Sequence, residues 1–294
     1  MKIIIWGHKL HSHTHSYIHA AFYKTFSYLG YDTHWLDNLD HVDPSSFKDC
    51  LFVTEGQCDN SIPLDKTNRY ILHNCDITKY ADFKYLSIQV YTNDVKNLVG
   101  INEAEIKNGT YYHNIQKTLY QPWATDLLPN EIDCNVHFNN NSSQIINWVG
   151  TMGGGVFGND TELNPFIQKS NQNNVAFIYH DPWRIPKSFN ENLSLIRESY
   201  IAPAIVGKWQ KDNGYIPCRI FKNISYGKMG ITNSKTAKEL FGDYVVYSED
   251  TSCLYDLAAT EDKLISYQKM KESMEYVKNN HTYLNRIQKI LQYL

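Results

Sequence analysis

No apolar run in the 294 residues approaches the length needed to cross a membrane, and no basic amphipathic stretch points to attachment on one. There is no excess of positive charge either. The formal charge is -3, so no global basic field draws the chain to nucleic acid. The six cysteines (Cys50, Cys58, Cys75, Cys134, Cys218 and Cys253) include no C-x-x-C pair, which predicts reduced thiols in a cytoplasmic protein. The first residues, MKIIIWGHK, pass from a short strand into polar residues, so no signal peptide is expected. What remains is an ordinary globular composition, 42% apolar and 20% charged, in a chain long enough for one large domain or two of common size.

Two strand–helix alternations organise that length. KIIIWG (2–7) reads as a buried strand, followed by a histidine-rich loop, a helix over about 16–29 ended by Gly30, and the strand DTHWLD. Short strands are expected at CLFVTEG, RYILHN, YLSIQVYT and KTLYQPW. The polar stretch 127–143, LLPNEIDCNVHFNNNSS, is the best linker candidate. A second alternation then runs QIINWVGT, the Gly-rich turn GGGVFGN, the helix DTELNPFIQKS, NVAFIYH, NENLSLIRESY and APAIVG, followed by TAKELFG and YVVYSED. The last thirty-odd residues read as helices with a break near Asn279-Asn280. Successive βαβ runs imply two Rossmann-like halves facing each other across a cleft.

Between APAIVG and TAKELFG lies GYIPCRIFKNISYGKMGITNS, residues 214–234. Pro217 suits the first helical position. Ile216, Ile220 and Ile224 form one apolar stripe, and Gly227 stands where a left-handed cap ends a helix. Arg219 and Lys222 leave that stripe in the helix's first turns, near its free N–H groups, which is chemistry for an anion such as a phosphate.

Three other clusters carry chemistry. HKLHSHTHSYIH places His8, His11, His13, His15 and His19 after the first strand, where catalytic loops belong. They could cap helices, could hold zinc with Glu55, His73, Asp76 or His180 as further ligands, or could supply a neutral imidazole base. YHDPWR ends a strand with His180, Asp181 and Arg184, either a phosphate contact or a turn begun at Asp181-Pro182. SEDTS brings Glu249 and Asp250 to another strand end, with Thr251 and Ser252 as candidate caps of the next helix.

The run PCRIFKNISYGKMGITNSKTAKELFGDYVVYSED resembles the nucleotide-sugar-binding end of GT-B glycosyltransferases, and among them the spore-maturation-protein-like enzymes. GYIPCRIFKN is also similar to a fucosyltransferase motif. The resemblance implies an α/β fold of two Rossmann-like domains: an acceptor half over 1–130, a donor half over 145–260, and helices over 261–294 packing back across the cleft. It implies transfer of a sugar from a UDP- or GDP-linked donor to a glycan hydroxyl.

On the resemblance, Arg219 binds the donor diphosphate. Lys222, Asn223, Arg184, His180, Asn233, Ser234, Glu249, Asp250 and the turn glycines Gly153 and Gly154 complete the donor set. A base from the first half, His13 or His15 before Glu55 or Asp76, activates the acceptor. Retaining members carry paired glutamates where this chain has Gly214 and Lys222, so inversion is expected. Fixed cations replace a metal, and no cofactor is required. The expected partners are the nucleotide sugar and a glycan or glycoconjugate, without nucleic acid. The rival readings are a metal-dependent hydrolase or phosphoesterase built on the histidines, and a non-catalytic sugar-binding relic of the same fold.

Overall fold

The computed structural model describes residues 1–9, 15–92, 109–138, 143–181 and 184–294. It is a mixed α/β structure with mostly parallel strands. In the first half, β1 (Lys2–Trp6), β2 (Asp32–Leu36), β3 (Cys50–Glu55), β4 (Arg69–His73), β5 (Lys84–Gln89), β6 (Tyr111–His113) and β7 (Thr118–Tyr120) form one sheet. Its order is β2-β1-β3-β4-β5-β7-β6, and every pairing is parallel except β6 with β7. The direction of strand progression reverses at β1, so a crevice opens between the C-terminal ends of β1 and β3. Open parallel sheets bind ligands at such a reversal.

The apolar residues of β1 explain its central place. Ile3, Ile4 and Ile5 are fully buried, Ile3 and Ile5 towards one face and Ile4 towards the other. Helix α1 (Ser16–Tyr28) lays Phe22 and Phe26 on the first face. The second face is closed by Phe47, Ile62 and Tyr80.

The second half repeats the pattern. β8 (Ile145–Val149) pairs in parallel with β9 (Ala176–His180), and β10 (Pro203–Ala204), β11 (Gly230–Thr232) and β12 (Val245–Tyr247) form a parallel trio. Tyr200 N donates to Ile145 O at 2.7 Å, which seats the approach to β10 beside β8. The pair β8-β9 and the trio β10-β11-β12 are separate parallel sheets. Helices α2 (Asp160–Gln172), α3 (Phe189–Glu198), α4 (Lys208–Asp212), α5 (Cys218–Ser225) and α6 (Lys235–Phe241) connect these strands.

Three helices end the chain: α7 (Thr251–Leu264), α8 (Tyr267–Asn280) and α9 (Tyr283–Leu291). Helix α8 buries Met274 and Val277 against α5, whereas α9 buries Tyr283, Ile287 and Ile290 in the core of the first sheet. Arg286 of α9 is 4% exposed and donates to the carbonyls of Pro122, Trp123 and Asn280. No helix among the described residues is long and apolar enough to cross a membrane.

Three local expectations are corrected. Much of the stretch expected to be a linker is packed: Leu127, Ile132 and Cys134 join the core around Ile220 and Phe221. Pro217 is the N-cap of α5, one residue earlier than expected. Asp250, not Thr251 or Ser252, caps α7, accepting from Ser252 N and Cys253 N.

Candidate functional site

A cavity of about 320 Å³ draws its walls from both stretches of the chain. The first sheet contributes His73 at the end of β4, Val90 and Tyr91 beyond β5, and His15, Tyr17 and Ile18 at the start of α1. The second contributes Gly150 after β8, Val206 after β10, Asn192 of α3, and Cys218, Arg219 and Lys222 of α5. Tyr91 and Tyr215 meet in an isolated antiparallel bridge, and Thr92 Oγ1 donates to Gly214 O at 2.9 Å. The two stretches are thus stitched together at the cavity wall.

Arg219 is the second residue of α5, half-buried, with its guanidinium 3.7 Å from the centroid of the Trp148 ring. Gly150 makes room for it. A Cβ there would lie 2.4 Å from Arg219 Nη2, and the φ of +139° lies where side chains are rarely carried. Burial lowers Arg219 to about 10, which leaves it charged at neutral pH. Among the described residues no carboxylate pairs with it; the ion pairs of this region involve other cations.

Lys222, one turn later, is different. It is buried and pairs with Asp126 Oδ2 at 3.3 Å, while Tyr226 Oη donates to both Asp126 oxygens at 2.7 and 2.9 Å. Its charge is answered within the protein, although its side chain still lines the cavity.

The histidines gather at the β1/β3 crevice. His8, with a left-handed φ of 38°, meets Glu55 Oε1 through Nε2 at 2.5 Å, and Cys58 Sγ donates to the same oxygen at 3.3 Å. Burial alone would raise Glu55, but the hydrogen bond from His8, the nearby His15, the Cys58 thiol and the Gln57 N–H hold it at about 2. Burial lowers both His19 and His73 to about 4; His19 Nδ1 lies 2.8 Å from Gly7 O and His73 Nδ1 3.3 Å from Ile88 O. The His15 ring lies 5.6 Å from that of His73. The donor atoms of His8, Glu55 and Cys58 all lie within 4.8 Å of one another, a set that could hold a metal ion.

The remaining residues singled out in the sequence are not among the cavity's lining residues. Asn233 and Ser234 support it from behind. Asn233 bonds Val206 at both N (2.8 Å) and O (2.9 Å), and Ser234 Oγ donates to Tyr215 O at 3.0 Å while capping α6. Asn223 is buried with Nδ2 on Ala202 O, and His180 Nε2 lies 2.9 Å from Asn147 Oδ1. Arg184 is exposed beside Asp181. Gly153 and Gly154 lie in an exposed turn, and Glu249 accepts from Tyr247 Oη. Asp76, exposed, caps a short 3-10 helix, and Asp250 caps α7. His13 lies outside the described residues. Glu55 lines a small chamber behind His15 and His73, not the main cavity.

Sequence reasoning missed Trp148, Asp126, Asn192, Tyr91 and Tyr215. A tryptophan in a buried strand and an aspartate just before a presumed linker carry no local signal, because their roles arise from contacts with residues 71 and 96 positions away. Only the repeated βαβ layout, which aims strand ends at one place, could have directed attention to Trp148.

No protein-family model and no curated protein matches the sequence. Among solved structures the chain is similar to the T4 phage beta-glucosyltransferase, with a TM-score of 0.49 and 12% identity over 98% of each chain.

Proposed function

We propose that this chain is a metal-independent glycosyltransferase of the GT-B type, using a nucleotide diphosphate sugar to glycosylate a glycan hydroxyl. The observation that carries the reading is Arg219: a charged guanidinium on a cavity wall, near the start of a helix, with no carboxylate partner among the described residues. A cation kept without a counter-ion in a cavity favours an anionic ligand, and α5 adds its N-terminal dipole.

In this reading residues 1–130 hold the acceptor, 145–260 hold the donor, and 261–294 return to the first half. The acceptor oxygen bonds to the anomeric carbon as the bond from that carbon to the β-phosphate oxygen breaks. The diphosphate leaves with the electron pair, stabilised by Arg219, and the acceptor proton passes to His15. A single displacement inverts the anomeric centre. The Arg219 guanidinium, fixed on the cavity wall and aimed at the developing charge, does what a metal does elsewhere.

Thermal shift with UDP, GDP, dTDP and their sugar conjugates, followed by transfer assays, tests the proposal. One nucleotide family should raise the melting temperature of the wild type and not of Arg219→Ala. No shift with any of them would end it. A second reading is favoured by the His8, Glu55 and Cys58 set, which could hold zinc in a hydrolase. One equivalent of zinc in the purified protein, with hydrolysis abolished by a chelator, would bring it forward; transfer that survives EDTA would dismiss it.

A further inference from the structure

The cavity wall carries an amide whose orientation is set from within the protein. Gln210, in α4, accepts from Gly207 N at Oε1, 3.1 Å away. Close packing holds that N–H in place, since a Cβ on Gly207 would lie 2.0 Å from Gly158 O. With Oε1 spent, the amide offers Nε2, which has no hydrogen-bond partner among the described residues. Gln210 is half-buried and lines the cavity, and its Nε2 is not sealed from solvent as the unpaired amide oxygens of Gln121 and Asn223 are. It is an accessible donor with a fixed direction.

An aromatic wall adjoins it. Tyr215 N donates to Gln210 O at 2.9 Å, and Tyr215 pairs across the antiparallel bridge with Tyr91. The two tyrosine rings lie 5.5 Å apart, both half-buried and both lining the cavity. Trp209, the neighbour of Gln210, packs edge-on against Tyr91 at 5.0 Å, so Tyr91 is braced on two sides. The Tyr215 hydroxyl lies close enough to Arg219 to feel its charge.

We propose that this wall seats the base of the nucleotide donor, stacked on Tyr91, and that Gln210 Nε2 selects a base with a carbonyl oxygen at its edge. This rests on the glycosyl-transfer reading above. The diphosphate belongs to Arg219 and has no flat face to stack. A base has both a π face and a hydrogen-bonding edge, which Tyr91 and Gln210 match. Stacking alone gives affinity without choice, because every base has such a face. The choice comes from the amide. Uracil and guanine present a carbonyl oxygen where cytosine and adenine present an amino group. An amino group facing Nε2 sets donor against donor and leaves both unpaired.

The experiment is calorimetric titration of the full chain with UDP, CDP, GDP, ADP and UDP-glucose. The wild type should bind UDP about tenfold more tightly than CDP, or GDP than ADP if the base is a purine, the equivalent of one hydrogen bond. Gln210→Glu keeps an oxygen for the Gly207 N–H and turns the outward donor into an acceptor, so it should abolish or reverse that ratio. Its added charge weakens every diphosphate alike, which is why the ratio is read. Tyr91→Leu should weaken both members of the pair by about tenfold or more and keep the ratio. A wild-type ratio near one, or a ratio that survives Gln210→Glu, would overturn the base contact while leaving the Arg219 site standing. So would a loss in Gln210→Glu seen only with UDP-glucose, which would give the amide to the sugar. Unchanged affinities in Tyr91→Leu would overturn the stacking. The wild-type comparison decides even if a variant does not fold. A wild type that binds no nucleotide would overturn the glycosyl-transfer reading itself, before any Gln210 variant is needed.

Discussion

The Arg219 guanidinium carbon lies 3.7 Å from the centroid of the Trp148 ring. The indole supplies the cation with a favourable face without neutralising it, as a carboxylate would. That difference separates a binding cation from a structural one, and it gives opposite expectations for two adjacent residues. Arg219→Ala should reduce donor turnover by roughly 30- to 1,000-fold, the equivalent of about 2–4 kcal/mol of transition-state stabilisation, while folding changes little. Ile220 is fully buried, so Ile220→Ala should cost about 2–5 kcal/mol of stability and spare turnover per folded molecule. Arg219→Lys should recover part of the activity, since an ammonium lacks the two-pronged fork. Chemical denaturation beside single-turnover rates checks both; an Arg219→Ala protein that melts early yet turns over normally would make Arg219 structural.

Gly150 tests the same site without touching a charge. Its Cβ would displace the guanidinium from Trp148, and its φ of +139° adds backbone strain. Gly150→Ala should therefore weaken nucleotide binding by about tenfold or more and lower the melting temperature modestly. If titration calorimetry finds unchanged binding, the guanidinium does not need its place over the indole.

Much of this was legible in the sequence, and the reasons differ by residue. The stripe Ile216, Ile220, Ile224 and the stop at Gly227, whose φ is +86°, are local properties, so α5 and the outward Arg219 could be read directly. The paired βαβ layout was readable from alternating apolar runs. What could not be read was which cation would be neutralised. Arg219 and Lys222 look alike in sequence, yet only Lys222 meets Asp126, a residue 96 positions away just before a stretch that reads as linker. Asp250, Asp76 and Asn233 likewise look like ligands at strand ends, but their short polar side chains are spent on capping turns or fixing a neighbouring backbone.

The Lys222–Asp126 pair should matter to folding more than to chemistry. Both side chains are nearly sealed from solvent, 11% and 6% exposed. Asp126→Ala strands the ammonium and the Tyr226 hydroxyl together, which should cost about 3–5 kcal/mol. Replacing both partners, Lys222→Met with Asp126→Asn, should restore a good part of that stability, because no buried charge is left unpaired. Urea unfolding of the single and double variants measures the coupling; equal losses in both would show that packing, not the charge pair, sets the cost.

Acid should loosen the histidine crevice in a defined window. His19 and His73 titrate near 4 in the folded protein because burial disfavours their charged forms, against an ordinary value of 6.5. His281 is shifted down too, first by burial and then by the adjacent Arg286. Above pH 6.5 these imidazoles are neutral in both folded and unfolded chains and do not affect the balance. As the pH falls from 6.5 towards 4 the unfolded chain takes up protons that the folded chain refuses, so stability declines by up to about 1.4 kcal/mol per pH unit for each group. Glu55 acts lower down. Held at about 2 against an ordinary 4.5, it contributes stability above pH 4.5 that is lost as the pH falls towards 2. The melting temperature should therefore drop between pH 7 and 5 through the histidines alone, and more steeply below 4.5 once Glu55 joins them. His19→Gln, whose amide can still donate to Gly7 O, should shrink the drop between pH 7 and 5 by removing one titrating group. A melting temperature that stays flat over that interval would mean that the imidazoles accept protons in place, and that the crevice is open to water rather than sealed.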